Sequence, residues 1–203
     1  MTIKATKLHC YICFETIVQQ LSQQKSREIW EAESDSCPLF VTWDISTRRW
    51  GSSQYQLRGC IGTFASKPLN QSLREYATTS AFRDSRFEPI TLKEVPLLKC
   101  SVNLLTCFEG ADNYLDWEIG THGIQIAFAD QKTRRHGTYL PKVAVEQGWT
   151  KREAIESLIR KAGYRGSITE ELLGSLEVTR YQSSEIGATY SEYQSFLEGQ
   201  ASE

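Results

Sequence analysis

The sequence lacks any apolar run near the roughly 20 residues that a membrane-spanning helix requires, and its first residues lack a hydrophobic segment of signal-peptide length. It contains no glycine-rich phosphate loop, no zinc-ligand spacing, no serine-centred nucleophile elbow and no dinucleotide fingerprint. A net charge of -2 gives no general attraction to nucleic acid or to an anionic membrane. These absences exclude the common enzyme classes that such motifs define, and they predict a cytoplasmic or nuclear protein without a membrane partner.

The six cysteines form neither a metal-ligand spacing nor a disulfide framework. In a reducing compartment they are expected as free thiols, so their even number says little about bridges. Cys10 and Cys13 form a Cys-x-x-Cys pair after His9, but the pair lies within a predicted helix, whereas a redox pair is expected at the start of one. We therefore predict neither a metal site nor a redox role for this pair. Cys100 and Cys107 are predicted as core residues, and the sequence leaves the cofactor unknown.

The apolar pattern predicts an α+β fold with mainly antiparallel strands, in one domain or in two closely packed lobes. A chain of 203 residues with 40% hydrophobic and 24% charged residues can bury such a core without disulfides. Apolar residues at helical spacing predict helices over 6–23, 69–81, 150–162 and 190–197. Alternation predicts strands over 39–45, 57–64, 100–107, 124–128, 138–140 and 176–181. Thr150 and Glu153 have the spacing of a capping box, and Gly163 marks the end of the same helix.

The most distinctive segment is Leu57–Phe64, an extended run with a cysteine between two glycines. In a strand, the side chains of Arg58, Cys60, Gly62 and Phe64 share one face, and the two glycines indicate close approach by a backbone or a ligand. A neighbouring cation favours the thiolate, and Arg58 is the candidate for that cation. Two interpretations stay open: Cys60 is a reactive or substrate-contacting thiol, or it is a small hydrophobic residue in a narrow slot.

A general base for Cys60 is sought among only three histidines. His122 precedes a predicted strand, where side chains are often accessible, and it is the best candidate. A dyad of Cys60 and His122 would resemble the nucleophile and base of thiol enzymes, although no spacing rule links the two residues. Nearby carboxylates are candidates to orient the imidazole, or are plain surface charges: Asp116, Glu118 and Glu146.

A second cluster, Arg83, Asp84 and Arg86, follows the second predicted helix. The guanidinium groups have the geometry to bind a carboxylate or phosphate in bidentate fashion. Alternatively, Asp84 holds one of the arginines in a structural ion pair. Tyr139 is a further substrate-binding candidate, with a core position as its alternative.

Leu57–Phe64 resembles the signature octapeptide of the AMMECR family, named after the AMME-syndrome chromosomal region. Further blocks resemble the family in the same order along nearly the whole chain: 80–87, 114–118, 122–124, 139–141, 146–150, 160–164 and 176–183. The resemblance implies a two-lobed α+β fold with a cleft near the octapeptide and no agreed activity. The larger lobe is expected at about 1–110 and 170–203, and the smaller lobe at about 112–168. Glu88 and Lys142 depart from the family pattern and alter the charge there.

Three functions follow as hypotheses. The first is an intracellular enzyme, or a component of a modification pathway, that binds a small anionic or nucleotide-like substrate in the cleft at Cys60. The second is a non-catalytic adaptor that binds a protein partner, with Cys60 purely structural. The third, nucleic-acid binding through the basic segments 48–50 and 134–136, is disfavoured by the negative net charge.

Overall fold

The computed structural model describes residues 3–22, 32, 35–49, 52–131 and 133–200. The helices are α1 (Lys7–Ser22), α2 (Leu69–Phe82), α3 (Pro141–Gln147), α4 (Lys151–Lys161), α5 (Glu170–Gly174) and α6 (Tyr190–Gln200). The strands are β1 (Ser36–Arg49), β2 (Ser52–Pro68), β3 (Leu98–Gly110), β4 (Gly123–Asp130), β5 (Thr133–Tyr139) and β6 (Glu177–Thr189). Two compact units divide the chain, one formed by Ile3–Leu104 with Ser184–Glu203 and the other by Leu105–Ser183.

The strands are hydrogen-bonded in the order β2-β1-β3-β6-β4-β5. Strand β1 pairs antiparallel with β2 and β3, and β4 pairs antiparallel with β5 and β6. The predicted α+β fold with antiparallel strands is therefore confirmed.

In the first unit, one face of β1 supplies the core. Leu39, Val41 and Trp43 are fully buried because alternate residues of a strand point to the same side. They pack in one cluster with apolar residues of α1, α2 and β3. Trp43 also donates a hydrogen bond from Nε1 to the Ala77 carbonyl of α2, at 3.2 Å. This face determines the stability of the first unit.

Cys10 and Cys13 are buried in this cluster, and so is Cys100, as predicted. Burial raises the pKa of the neighbouring Cys100 thiol, and hydrogen bonding with Cys10 and Cys13 raises it further. In the part of the chain that the structure describes, no group of three His, Cys, Asp or Glu side chains is arranged to hold a metal ion.

In the second unit, β4 packs on α4. Ile124, Ile126 and Phe128 form a core cluster with the apolar stripe of the helix. The predicted capping box is present: Thr150 Oγ1 accepts a hydrogen bond from the Glu153 backbone N–H, and Glu153 Oε2 accepts one from the Thr150 N–H. This local signal fixes where α4 begins.

Several features differ from the sequence interpretation. Helix α3 was not predicted, although Pro141 suits a first helical position and Gly148 follows at φ 65. Cys107 was predicted as a core residue, but it is exposed and has φ 54, which interrupts the alternation of β3. Trp50 and Lys132, and the side chains of Arg48 and Arg49, lie outside the described residues. No helix within the described ranges has the length and apolar character needed to cross a membrane.

Candidate functional site

The octapeptide lies in β2, which is an edge strand of the sheet, and the predicted strand is confirmed. Its pairing with β1 is irregular, because Trp43 pairs with Gly59 while Asp44 pairs with Leu57. Arg58 is therefore an extra residue, and this bulge breaks the simple alternation expected from the sequence. Bulges re-aim side chains, so Arg58 and Cys60 have different surroundings.

Both glycines of the octapeptide are required by close contacts. A Cβ atom at Gly59 would lie 2.1 Å from the Ser80 carbonyl oxygen of α2, which shows how closely the helix backbone approaches the strand. A Cβ atom at Gly62 would lie 2.2 Å from the Leu39 carbonyl oxygen and 2.4 Å from Cγ of Phe40, both on β1. The close approach that the glycines indicated is thus made by backbone at both positions, and at Gly62 by an aromatic ring as well.

The backbone of Cys60 is bound by the loop that follows α2. Asp84 accepts a hydrogen bond from the Cys60 N–H through Oδ2 at 2.9 Å, and Arg86 donates from Nη2 to the Cys60 carbonyl at 3.1 Å. Asp84 also accepts from Arg86 Nε at 2.9 Å and from Nη2 at 2.6 Å. The loop therefore covers the open edge of β2 at Cys60, where the backbone groups would otherwise be unpaired.

The charges of this contact are fixed by their environment. Hydrogen bonds from Arg86 hold the pKa of the Asp84 carboxyl well below its ordinary value, against the opposing effect of burial. The Asp84 carboxylate in turn raises the pKa of Arg86, and a smaller electrostatic contribution comes from Cys60. Asp84 is buried, whereas the Arg86 side chain is 54% exposed. A permanently charged, oriented guanidinium thus lies beside Cys60 and faces solvent.

Arg58 is occupied elsewhere. Its guanidinium forms an ion pair with Glu94 at 2.8 Å and donates to the carbonyls of Glu88 and Pro89. Burial raises the pKa of Glu94, but hydrogen bonds from Arg58 and Thr91 outweigh this and leave the pKa below its ordinary value. Arg58 thus holds the segment after α2 against β2, and the guanidinium in contact with Cys60 is that of Arg86.

The side chain of Cys60 lies on the side of the sheet opposite the core. Thr42 donates a hydrogen bond from Oγ1 to the Cys60 sulfur at 3.1 Å, and the thiol is half-buried. We call this side of β2, β1 and β3 the polar face. We use the word rung for a row of residues that are paired across the three strands. One rung contains Cys60, Thr42 and Ser101, and the other contains Gly62, Phe40 and Asn103.

The polar face carries an unsatisfied buried atom. Among the described residues, two buried side-chain polar atoms have no hydrogen-bond partner, Ser72 Oγ in α2 and Asn103 Oδ1 in β3. Asn103 is 6% exposed and its neighbour Ser101 is 7% exposed. A buried polar group without a partner costs about 1–3 kcal/mol, so Asn103 is not explained by stability.

The remaining candidates are Arg83, His122 and Tyr139. Arg83 is exposed at the end of α2. His122 belongs to the second unit, where its Nδ1 accepts a hydrogen bond from the Glu118 N–H at 2.9 Å. Tyr139, also in the second unit, shares a hydrogen bond of 3.0 Å with the Ser157 hydroxyl, and Lys161 Nζ lies 4.6 Å from its ring centre. Pairing of His122 or Tyr139 with Cys60 stays a prediction.

Sequence reasoning missed Thr42, Ser101, Asn103 and Glu94. A signal was present for two of them, because Ser101 and Asn103 alternate with the apolar residues of β3. Such alternation is typical of a solvent-facing side, whereas both residues are buried. The alternation identified the face but not its burial.

The fold and the site together define an α+β protein with a half-buried thiol on a sheet edge, beside an arginine fixed by a buried carboxylate. The AMMECR1 family profile matches residues 10–186. The chain belongs to the AMMECR1 family, as the resemblance of its octapeptide indicated.

Relatives of known sequence support this assignment. The chain is similar to an uncharacterised protein of Schizosaccharomyces pombe, with 47% identity over 196 residues that cover 95% of this chain and 97% of that protein. It is also similar to an uncharacterised protein of Arabidopsis thaliana, with 44% identity over 197 residues that cover 96% and 90% of the two chains. A crystal structure of an uncharacterised Pyrococcus horikoshii protein has the same fold, with a TM-score of 0.68, 24% identity and 89% coverage of each chain.

Proposed function

We propose that the chain binds a small anionic, nucleotide-like ligand at the Cys60 edge of β2. In this proposal the Arg86 guanidinium contacts the anion and the Cys60 thiol contacts the bound molecule. The observation that carries the proposal is the orientation of Arg86: buried Asp84 and the Cys60 carbonyl fix a side chain that still faces solvent. A guanidinium held in one geometry binds an anion with little further loss of conformational freedom.

The hydrogen-bonding capacity of Arg86 is compatible with this role. Asp84 and the Cys60 carbonyl engage Nε and Nη2, and Nη1 has no protein partner within the described part of the chain. The N–H groups of Nη1 are therefore available to a phosphate or carboxylate oxygen. Exposed Arg83, three residues earlier, adds a second positive charge to the same loop.

Cys60 gives the proposal a chemical readout. Of the six cysteines, four are buried, Cys60 is half-buried and Cys107 is exposed. The Cys60 sulfur accepts a hydrogen bond from Thr42, and Arg86 binds the carbonyl of the same residue, so alkylation of this thiol reports on a molecule bound beside Arg86. Whether the chain catalyses a reaction through this thiol is a further step, which depends on ligand binding at the same place.

The test is alkylation of the native protein by iodoacetamide, followed by mass spectrometry of each cysteine peptide. Cys107 serves as the internal reference, because it is exposed and belongs to the other unit. We expect Cys60 to be alkylated at neutral pH and to be protected by AMP, and more weakly by inorganic phosphate, while Cys107 is unaffected. Alkylation of Cys60 only after denaturation would overturn the proposal.

Variants assign the protection to Arg86. Arg86→Gln is expected to abolish protection by phosphate and by AMP, and Arg86→Lys to retain part of it, because lysine keeps the charge but not the fork of donors. Arg165→Gln, at an exposed arginine of the other unit, is the matched control and keeps full protection. Protection that survives in Arg86→Gln would show that the anion binds elsewhere.

A protein partner is the second candidate function, and exposed apolar side chains on β2 favour it. Tyr55 and Leu57 are 47% and 43% exposed on this edge strand. An edge strand with apolar side chains can pair with an extended segment of another protein. Under this adaptor function, neither phosphate nor AMP protects Cys60, and Leu57→Asp weakens capture of the partner.

A further inference from the structure

Asn103 in β3 has a buried side-chain oxygen without a hydrogen-bond partner. In a native protein the great majority of buried polar atoms have a partner, so an exception calls for a physical reason. Asn103 is 6% exposed, its Oδ1 accepts no hydrogen bond, and its position in β3 places it on the polar face. This oxygen can accept an N–H group from a molecule that enters along this face.

The exposure of the side chains decreases across the polar face. Cys60, Thr42 and Phe40 are half-buried, whereas Ser101 and Asn103 on the next strand are buried. The order of the strands runs from the sheet edge at β2, through β1, to β3. Exposure therefore falls from the proposed anion contact at β2 toward Asn103.

The spacing suits a molecule with two recognition groups. Asn103 lies on β3, two strands away from β2, and its rung is two residues along the strands from the rung that contains Cys60. With strands about 4.8 Å apart and a rise of about 3.4 Å per residue, Cys60 and Asn103 are separated by about 12 Å. This separation is comparable with the length of a mononucleotide from its phosphate to the far edge of its base.

An aromatic ring lies next to Asn103. Phe40 is its neighbour in the β1–β3 pairing, and the Phe40 ring occupies the space that a Cβ atom at Gly62 would need. The Phe64 ring packs edge-on against Phe40, with ring centres 5.4 Å apart, and this contact fixes the Phe40 ring. Aromatic rings bind planar bases by stacking, and asparagine pairs with the amine and ring nitrogen of adenine.

From these observations we infer that the polar face binds a nucleobase with an exocyclic amine, whose N–H donates to Asn103 Oδ1 while Phe40 contacts the ring. The inference rests on the proposed function, since the phosphate of such a ligand is the anion assigned to Arg86. It adds the class of the base and makes Asn103 the residue that selects it. Ser101 and Thr42 supply hydroxyl groups to the part of the ligand between the two ends.

The test compares two pairs of nucleotides that differ in the exocyclic amine. One pair is AMP and purine riboside 5′-monophosphate, and the other is CMP and pyrimidin-2-one riboside 5′-monophosphate. Affinity is measured by titration calorimetry and by protection of Cys60 from iodoacetamide. In at least one pair, the amine-bearing nucleotide is expected to bind about tenfold tighter or more, because its partner leaves the buried Oδ1 of Asn103 unpaired. Equal affinities within both pairs would overturn the inference.

Variants and inorganic phosphate distinguish the two proposals. Asn103→Leu is expected to bring the two members of the favoured pair within about twofold, while phosphate still protects Cys60. Asn103→Asp keeps the acceptor oxygens and is expected to keep the preference. Gln54→Leu, at an exposed position of β2, is the control and changes nothing. Phosphate protection without amine selectivity overturns the inference alone, and absence of any protection overturns the proposed function as well. The wild-type comparison needs no variant, so a folding defect in Asn103→Leu leaves the inference testable.

Discussion

The two faces of β1 are built from adjacent residues and have opposite properties. On one face, Leu39, Val41 and Trp43 are fully buried and pack on helices. On the other, Phe40 and Thr42 are half-buried beside buried Ser101 and Asn103. Burial alone does not distinguish the faces, because both contain buried residues. The two faces differ in what they bury. The core face of β1 buries hydrocarbon, whereas the polar face buries Asn103 Oδ1, an oxygen without a hydrogen-bond partner.

Along β1, residues that pack in the core alternate with residues of the face to which we assign ligand binding. Apolar burial contributes about 25 cal/mol per Å² removed from water, and the core face collects that contribution. A buried, unpaired oxygen opposes folding, and in our proposal a ligand on the polar face provides the partner of Asn103 Oδ1. Substitutions on the two faces should therefore have different signatures.

The largest effect is expected at Trp43. Trp43→Ala removes a fully buried ring that packs edge-on against Phe14, with ring centres 5.1 Å apart, and removes the hydrogen bond from Nε1 to the Ala77 carbonyl. Loss of such a side chain costs about 3–5 kcal/mol of unfolding free energy, measured by chemical denaturation. Thr42→Val, the adjacent residue on the polar face, is the matched variant and should change stability by less than about 1 kcal/mol. Equal losses of unfolding free energy in the two variants would show that both faces of β1 contribute equally to stability.

An intermediate effect is expected where the edge of the sheet is covered. Asp84→Asn keeps the shape of the side chain but turns an acceptor of Arg86 and Cys60 N–H groups into a group that is partly a donor. We expect a loss of about 1–3 kcal/mol at neutral pH, because one donor faces another in a buried place. Glu88→Gln, an exposed carboxylate of the same segment, is the control and should stay within about 0.5 kcal/mol.

The pH dependence of this variant provides a second measurement. The folded-state pKa of Asp84 lies below its ordinary value, chiefly through the Arg86 hydrogen bonds, so the carboxylate stabilises the protein above the unfolded-state pKa of about 4. That stabilisation decreases as the pH falls from about 4 toward the folded-state pKa. The stability difference between wild type and Asp84→Asn should therefore be largest near neutral pH and shrink in acid. A difference that stays constant from pH 7 to pH 3 would contradict the ion-pair explanation.

Local signals predicted much of the fold. The capping box at Thr150 and Glu153, the helical spacing of α1 and the extended character of the octapeptide depend on residues close in sequence, and the structure confirms all three. Helix α3 was missed because its seven residues give too short an apolar pattern. The bulge at Arg58 was missed for another reason: strand register is set by pairing with β1, which the octapeptide does not encode.

The site was predictable only in its parts. The sequence singled out Cys60, Asp84 and Arg86, but the contact of Asp84 with the Cys60 N–H joins residues 24 positions apart, and only the tertiary fold creates it. Asn103 was placed on the correct face by alternation, yet nothing local distinguishes a buried polar residue from a solvent-facing one. Burial of this kind is a property of the assembled strands, and so is the missing partner of Oδ1.

The smallest stability effect is expected at Asn103, where it tests whether a residue of the polar face supports the fold. Asn103→Leu removes an oxygen that has no partner and fills nearly the same volume with hydrocarbon, so the desolvation cost of that oxygen disappears. We expect the free energy of unfolding to stay unchanged or to rise by up to about 1 kcal/mol, measured by denaturant titration without ligand. Ser101→Ala, on the same strand and face, is the control and should change stability by less than about 0.5 kcal/mol. A decrease of more than about 1 kcal/mol in the free energy of unfolding of Asn103→Leu would show that the asparagine stabilises the fold. Removal of an oxygen that has no partner cannot by itself destabilise the protein.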